Sequence, residues 1–114
     1  MDYCASPYRH ARRDTRPVII GEPENGGVIV GGSEPVVRQS MITCSTLDTD
    51  ASIEQSMALV NAGCQIVRIT AQTKRYAANL EPIIAGIRAR GSNVPVVADI
   101  HFKPDAALEA VKWC

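Results

Sequence analysis

The chain has 114 residues, 46 % of them apolar, with 12 basic and 12 acidic side chains that cancel to a formal net charge of zero. That balance suits one small globular unit and excludes both a disordered chain and a basic field for nucleic acid or an anionic membrane. No apolar run approaches the ~20 residues that cross a bilayer, and no signal core follows the amino-terminal charges, so a cytoplasmic chain without membrane or nucleic-acid partners is expected.

Residues 1–16 read as a polar arm carrying Arg9, Arg12, Arg13 and Arg16. Val18, Ile19 and Ile20 are separated from Val28, Ile29 and Val30 by a segment with Pro23, Asn25 and Gly26, which predicts a β-hairpin over 17–30. Gly31, Gly32 and Pro35 then break the chain before a strand over about 35–41.

From there the pattern becomes strand, loop, helix, repeated. A loop over 43–50 leads into apolar Ile53, Met57 and Val60 at helical spacing, with Asp48 and Asp50 suited to the positive helix start and Gly63 to its end. A strand over 65–70 follows, then a helix over 74–90 with the stripe Leu80, Ile83, Ile84 and Ile87, closed by Gly91. Pro82 lies inside that segment and predicts a kink or a restart, since a proline in a helix interior costs about 3 kcal/mol. The third strand spans about 94–100, and Pro104 with Asp105 opens a third helix through Ala106, Leu108, Ala110 and Val111.

Strands roughly thirty residues apart are what βαβ units require, and eight such units close a barrel of ~250 residues. The expected fold is therefore α/β: an amino-terminal hairpin plus the first three βα units of an incomplete (β/α)8 TIM barrel, occupying residues 17–114. Open strand edges and an uncovered interior would leave the isolated chain poorly folded.

Each predicted parallel strand ends in polar chemistry. Val36 and Val37 run into Arg38, Gln39 and Ser40; Ile66 and Val67 into Arg68 and Thr70; Val96 and Val97 into Asp99 and His101. Ligands of parallel α/β folds bind at the carboxyl ends of strands, and positions two apart share a face, so Arg68 goes with Thr70 and Asp99 with His101. Arg68 is suited to a phosphate or carboxylate, or to a salt bridge with Asp99 on the neighbouring strand. Asp99 suits hydrogen bonding to a substrate hydroxyl or general acid–base work, or else orients an arginine within the barrel. His101 can donate a proton, ligate a metal or fill a polar niche. Gln39 and Ser40 are further substrate-binding candidates, or loop bridges. Cys4, Cys44, Cys64 and Cys114 are too widely spaced for a metal motif and read as reduced thiols, with Cys64 a small buried hydrophobe.

Four segments, RRDTRPVIIG (12–21), GGSEPVVRQSM (31–41), AGCQIVRIT (62–70) and VPVVADIHFKPDAAL (94–108), occur in an order and spacing that resemble the amino-terminal part of the 4-hydroxy-3-methylbut-2-en-1-yl diphosphate synthase family. YCASPY (3–8) resembles the opening of the larger plant and bacterial form, which has an extra domain. The resemblance implies a TIM barrel followed by a smaller domain whose three cysteines and a glutamate hold a 4Fe–4S cluster. It implies an oxidoreductase of non-mevalonate isoprenoid synthesis. The substrate is 2-C-methyl-D-erythritol 2,4-cyclodiphosphate, which is opened reductively to the linear hydroxymethylbutenyl diphosphate with electrons from ferredoxin or flavodoxin. The complete enzyme would be a homodimer, with Arg68 binding substrate and Asp99 and His101 at the same mouth.

The chain departs from the family at Ile42, Thr43 and Cys44, where a threonine-rich continuation is usual, and at Pro82, where the family runs a helix through. None of its cysteines matches a cluster ligand, so the cluster would belong to the full-length protein and the fragment alone would be inactive. Two other readings compete: a non-catalytic remnant or split-gene fragment that associates with a complementary chain, and part of a barrel hydrolase using Asp99 and His101 on a divalent metal.

Overall fold

The structure, a computed structural model, describes residues 14–114. The expected polar arm lies outside the described residues up to position 13. The hairpin forms as β1 (Val18–Ile20) and β2 (Val28–Val30), antiparallel, with Ile19 opposite Ile29. A single 3-10 turn (Pro23–Asn25) links them, closed by Gly26 at φ +87°, a left-handed value that a side chain would strain. Asn93 Nδ2 donates to Asn25 Oδ1 at 2.8 Å, which ties the hairpin tip to the amino-terminal approach of the last strand.

The remaining strands, β3 (Gln39–Met41), β4 (Ile66–Ala71) and β5 (Val96–Ile100), form one parallel sheet in the order β3-β4-β5. Helix α1 (Thr49–Asn61) joins the first two, α2 (Lys74–Ala78) and α3 (Leu80–Ala89) join the second pair, and α4 (Pro104–Ala110) follows the third. The strand that the sequence suggests over 35–41 pairs only from Gln39. Upstream, Pro35 has no N–H, and the Arg38 N–H is taken by the Gln65 side chain at 3.0 Å rather than by a neighbouring strand.

Capping residues set the helix limits. Asp48 accepts from the Ala51 N–H at 3.1 Å and starts α1. At the other end of α1 the Arg38 Nε–H donates to the Gly63 carbonyl at 3.0 Å, a cation on the negative pole of the helix. The single helix expected over 74–90 is two, divided at Asn79 and not at Pro82. Pro82 is the third residue of α3, where a missing N–H costs no helical hydrogen bond. The proline therefore starts a new helix instead of kinking an old one.

One face of the sheet carries the core. Val67, Ile69 and Ala71 of β4 are fully buried against Leu80, Ile83 and Ile87 of α3, and burying such an aliphatic side chain contributes about 1.5–3 kcal/mol. The buried side of α1 is Ser52, Ile53 and Ser56, with Met57 and Val60 only partly covered. Small residues there let α1 and α3 approach closely: a Cβ on Gly86 would collide with Ile53 Cδ1. On α4, Ala106 and Ala110 meet the core, while Leu108 and, just past the helix end, Val111 are each 71 % exposed.

Candidate functional site

The other face of the sheet carries Arg68, Thr70 and Asp99 together with apolar Ile66, Val97 and Met41, and the ladder register decides which residues share it. Side chains of directly paired residues in a parallel sheet lie on the same side. Arg68 pairs with Val97 and Thr70 with Asp99. Both strands thus present their polar residues on the side opposite the helices. Arg68 Nη2 meets Asp99 Oδ2 at 3.0 Å, so the arginine and the carboxylate predicted from sequence form an ion pair across β4 and β5. His101, one residue beyond β5, brings Nε2 to 3.4 Å from the same Asp99 oxygen.

Arg68 is 41 % and His101 43 % exposed at the side chain, whereas Asp99 is 19 % exposed. The carboxylate is the enclosed hub and its two cationic or donating partners reach outwards. Partial burial of Asp99 pushes its pKa up and is the largest single influence. The contacts with His101 and with the Arg68 guanidinium together outweigh it and hold the carboxyl below its ordinary value. Asp99 is thereby kept as an anion that orients both neighbours.

The register also corrects the expectation that Gln39 and Ser40 sit together at this mouth. Gln39 pairs with Ile66, at the first residue of β4, two positions below Arg68 on the same face. Ser40 pairs with Val67 and so lies on the opposite, helix-facing side, as does Ile42, which is buried in the core there. Met41 is the β3 residue level with Arg68. Strand alternation allows only one of two adjacent residues on a face, and β3 starts level with the beginning of β4.

Three residues at this end escaped the sequence reading. Thr46 and Asn79 tie the loop before α1 to the end of β4 and to the α2–α3 junction. Phe102, directly after His101, is fully exposed and has φ +58°, a left-handed backbone that is rare for a bulky side chain. A lone Asn three residues before Pro82 was the only sequence signal for the first pair; Phe102 gave none.

Among the described residues no group of three or more His, Cys, Asp or Glu could hold a metal ion. Cys44, Cys64 and Cys114 are free, and Cys64 Sγ donates to the Ile66 carbonyl at 2.9 Å. Cys44 lies 3.7 Å from Ser52 Oγ. Among the described residues, Cys44, Cys64 and Cys114 thus form no group with the three or more ligands that a cluster takes from its protein.

The described residues thus form a parallel βα sheet with a guanidinium–carboxylate–imidazole group on the face opposite its helices. The chain belongs to the GcpE family: the profile of the GcpE TIM-barrel domain matches residues 15–114. It is 59 % identical over 111 residues to a 4-hydroxy-3-methylbut-2-en-1-yl diphosphate synthase (flavodoxin) of Akkermansia muciniphila, covering 97 % of this chain and 18 % of that protein. Proteins of the same name from Leptospira interrogans (44 % over 111 residues; 97 % of this chain, 16 % of that protein) and Chlorobaculum tepidum (43 % over 113; 99 % and 14 %) are also similar. The chain spans less than a fifth of the length of these relatives.

Proposed function

We propose that this chain is the opening, substrate-binding portion of a TIM barrel in a cytoplasmic synthase that reductively opens 2-C-methyl-D-erythritol 2,4-cyclodiphosphate to 4-hydroxy-3-methylbut-2-enyl diphosphate. The observation that carries the reading is the Arg68–Asp99 pair at 3.0 Å, in which the arginine remains 41 % exposed. One contact to one carboxylate oxygen engages a single arm of a fork with five N–H donors, and the rest suit a diphosphate. Family membership and the name shared by the relatives support the linear diphosphate product and flavodoxin as electron donor.

In this reading Arg68 binds phosphate oxygens, and Thr70, on the same face and level with Asp99, offers a hydroxyl beside it. Asp99 and His101 act as the acid–base pair, with Asp99 held between the Arg68 guanidinium and the His101 ring. Gln39 serves from lower on the same face; Ser40 would act only through a loop bridge. A 4Fe–4S cluster would supply the electrons when bound, on ligands other than Cys44, Cys64 and Cys114. The enzyme would work as a homodimer. No helix among the described residues is long and apolar enough to cross a membrane.

The test is conversion of the cyclic diphosphate by the intact, cluster-loaded protein with reduced flavodoxin. Formation of the linear diphosphate is expected. An active cluster without conversion, or metal-dependent hydrolysis abolished by His101→Ala, would overturn the reading.

A further inference from the structure

We infer that Thr46 and Asn79 are positioning residues that set the height of the carboxyl end of β4, and with it the Arg68–Asp99 pair; the inference rests on that pair being the diphosphate site. The argument begins with an unfinished ladder. On the β3 side of β4, the Arg68 carbonyl accepts from the Ile42 N–H at 3.2 Å, the last rung between these strands. Carbonyls two residues apart on a strand point the same way, so the Thr70 carbonyl faces the space where β3 has already ended. A buried carbonyl left there would lack a partner.

The Thr46 hydroxyl takes that place, donating to the Thr70 carbonyl at 2.7 Å. Thr46 is only 3 % exposed, so water does not compete for the bond. Its own carbonyl is held in turn by Asn79, whose Nδ2 donates at 2.6 Å and also reaches Thr49 Oγ1 at 3.1 Å in the first turn of α1. Asn79 is the one residue between α2 and α3. Two side chains thus lock three segments together: the loop before α1, the end of β4 and the helix junction.

What they lock is the site. Thr70 is the ladder partner of Asp99 and lies two residues beyond Arg68. If the end of β4 shifts, the guanidinium, the Thr70 hydroxyl and the carboxylate lose their common geometry, and a misplacement of about 1 Å is enough to cost on the order of a hundredfold in rate. A single hydroxyl thereby stands in for a missing strand residue beside the Arg68–Asp99 pair.

The experiment compares Thr46→Val, which keeps the shape and removes the hydroxyl, with Thr46→Ser, which keeps the hydroxyl, in the intact cluster-loaded protein. Kinetics are expressed per folded, cluster-containing molecule, and Arg68→Ala is measured beside them. The expected result is a KM for the cyclic diphosphate raised at least tenfold in Thr46→Val and within twofold of the parent in Thr46→Ser. Asn79→Asp, which cannot donate to the Thr46 carbonyl, should raise KM in the same way and decides the matter by the same criterion if Thr46→Val does not fold. Parental KM in the folded Thr46→Val and Asn79→Asp proteins, alongside an impaired Arg68→Ala, would overturn the clamp and leave the proposed diphosphate site standing. An unimpaired Arg68→Ala would instead remove the diphosphate site on which the clamp depends.

Discussion

Replacing Arg68 by alanine in the intact protein is expected to reduce kcat/KM for the cyclic diphosphate about ten- to thirtyfold. A charge-assisted hydrogen bond to a phosphate contributes about 1.5–3 kcal/mol, and about 1.4 kcal/mol is a factor of ten, which brackets the loss between roughly ten- and a hundredfold. Because the side chain is 41 % exposed, water competes with the ligand and the lower part of that range applies. The same substitution also strips Asp99 of its closer partner and leaves it with His101 at 3.4 Å, so an incoming anion meets a less compensated carboxylate. The two effects separate in a double-mutant cycle with Asp99→Asn, followed by steady-state kinetics with reduced flavodoxin. If Arg68 holds the diphosphate, Arg68→Ala still costs at least tenfold when Asp99 is already Asn. If Arg68 only neutralises Asp99, the double variant matches Asp99→Asn alone. That equality, or a single variant within twofold of the parent, would refute the reasoning.

Three further outcomes follow from the packing and the electrostatics. Gly86→Ala should destabilise the intact protein by about 1 kcal/mol, because overpacking against Ile53 costs about 1–3 kcal/mol and outweighs the ~1 kcal/mol gained in helix propensity; a raised thermal midpoint would contradict the close α1–α3 contact. The Asp99 carboxyl is held below its ordinary value, so its stabilising contribution is complete above an unfolded-state value of about 3.9 and is lost as pH falls through the lowered native one. The urea midpoint of the parent should accordingly exceed that of Asp99→Asn by a constant amount at neutral pH, with the gap closing below about pH 4; a gap that widens on acidification would reverse the sign of the argument. Phe102→Gly relieves a left-handed backbone at a side chain that buries nothing, so its thermal midpoint should be no lower than the parent's, and a drop of several degrees would show that the ring is packed.

Much of the architecture could be read from local pattern. The hairpin, the alternation of strands and helices, the Asp48 start of α1 and the apolar stripe of α3 all follow from period and capping chemistry that a few neighbouring residues contain. The pairing of Arg68 with Asp99 was legible too, because two strands of matching pattern had polar residues at matching ends. Pro82 signalled a break but could not locate it, since a proline is equally at home just inside a helix start.

Register was a different matter. Which of Gln39, Ser40 and Met41 lies level with Arg68 depends on how β3 slides along β4, and a shift of one residue exchanges the two faces of the strand. That choice is made by contacts between segments about thirty residues apart in sequence: the Gln65 side chain on the Arg38 N–H, and the Ile42 N–H on the Arg68 carbonyl. The Thr46 and Asn79 hydrogen bonds are of the same kind, joining residues whose identity as partners no local period encodes. Periodicity in the chain was enough to fix what each segment would become; the alignment of those segments, and so the membership of the site, was settled only when their unpaired backbone groups found one another in three dimensions.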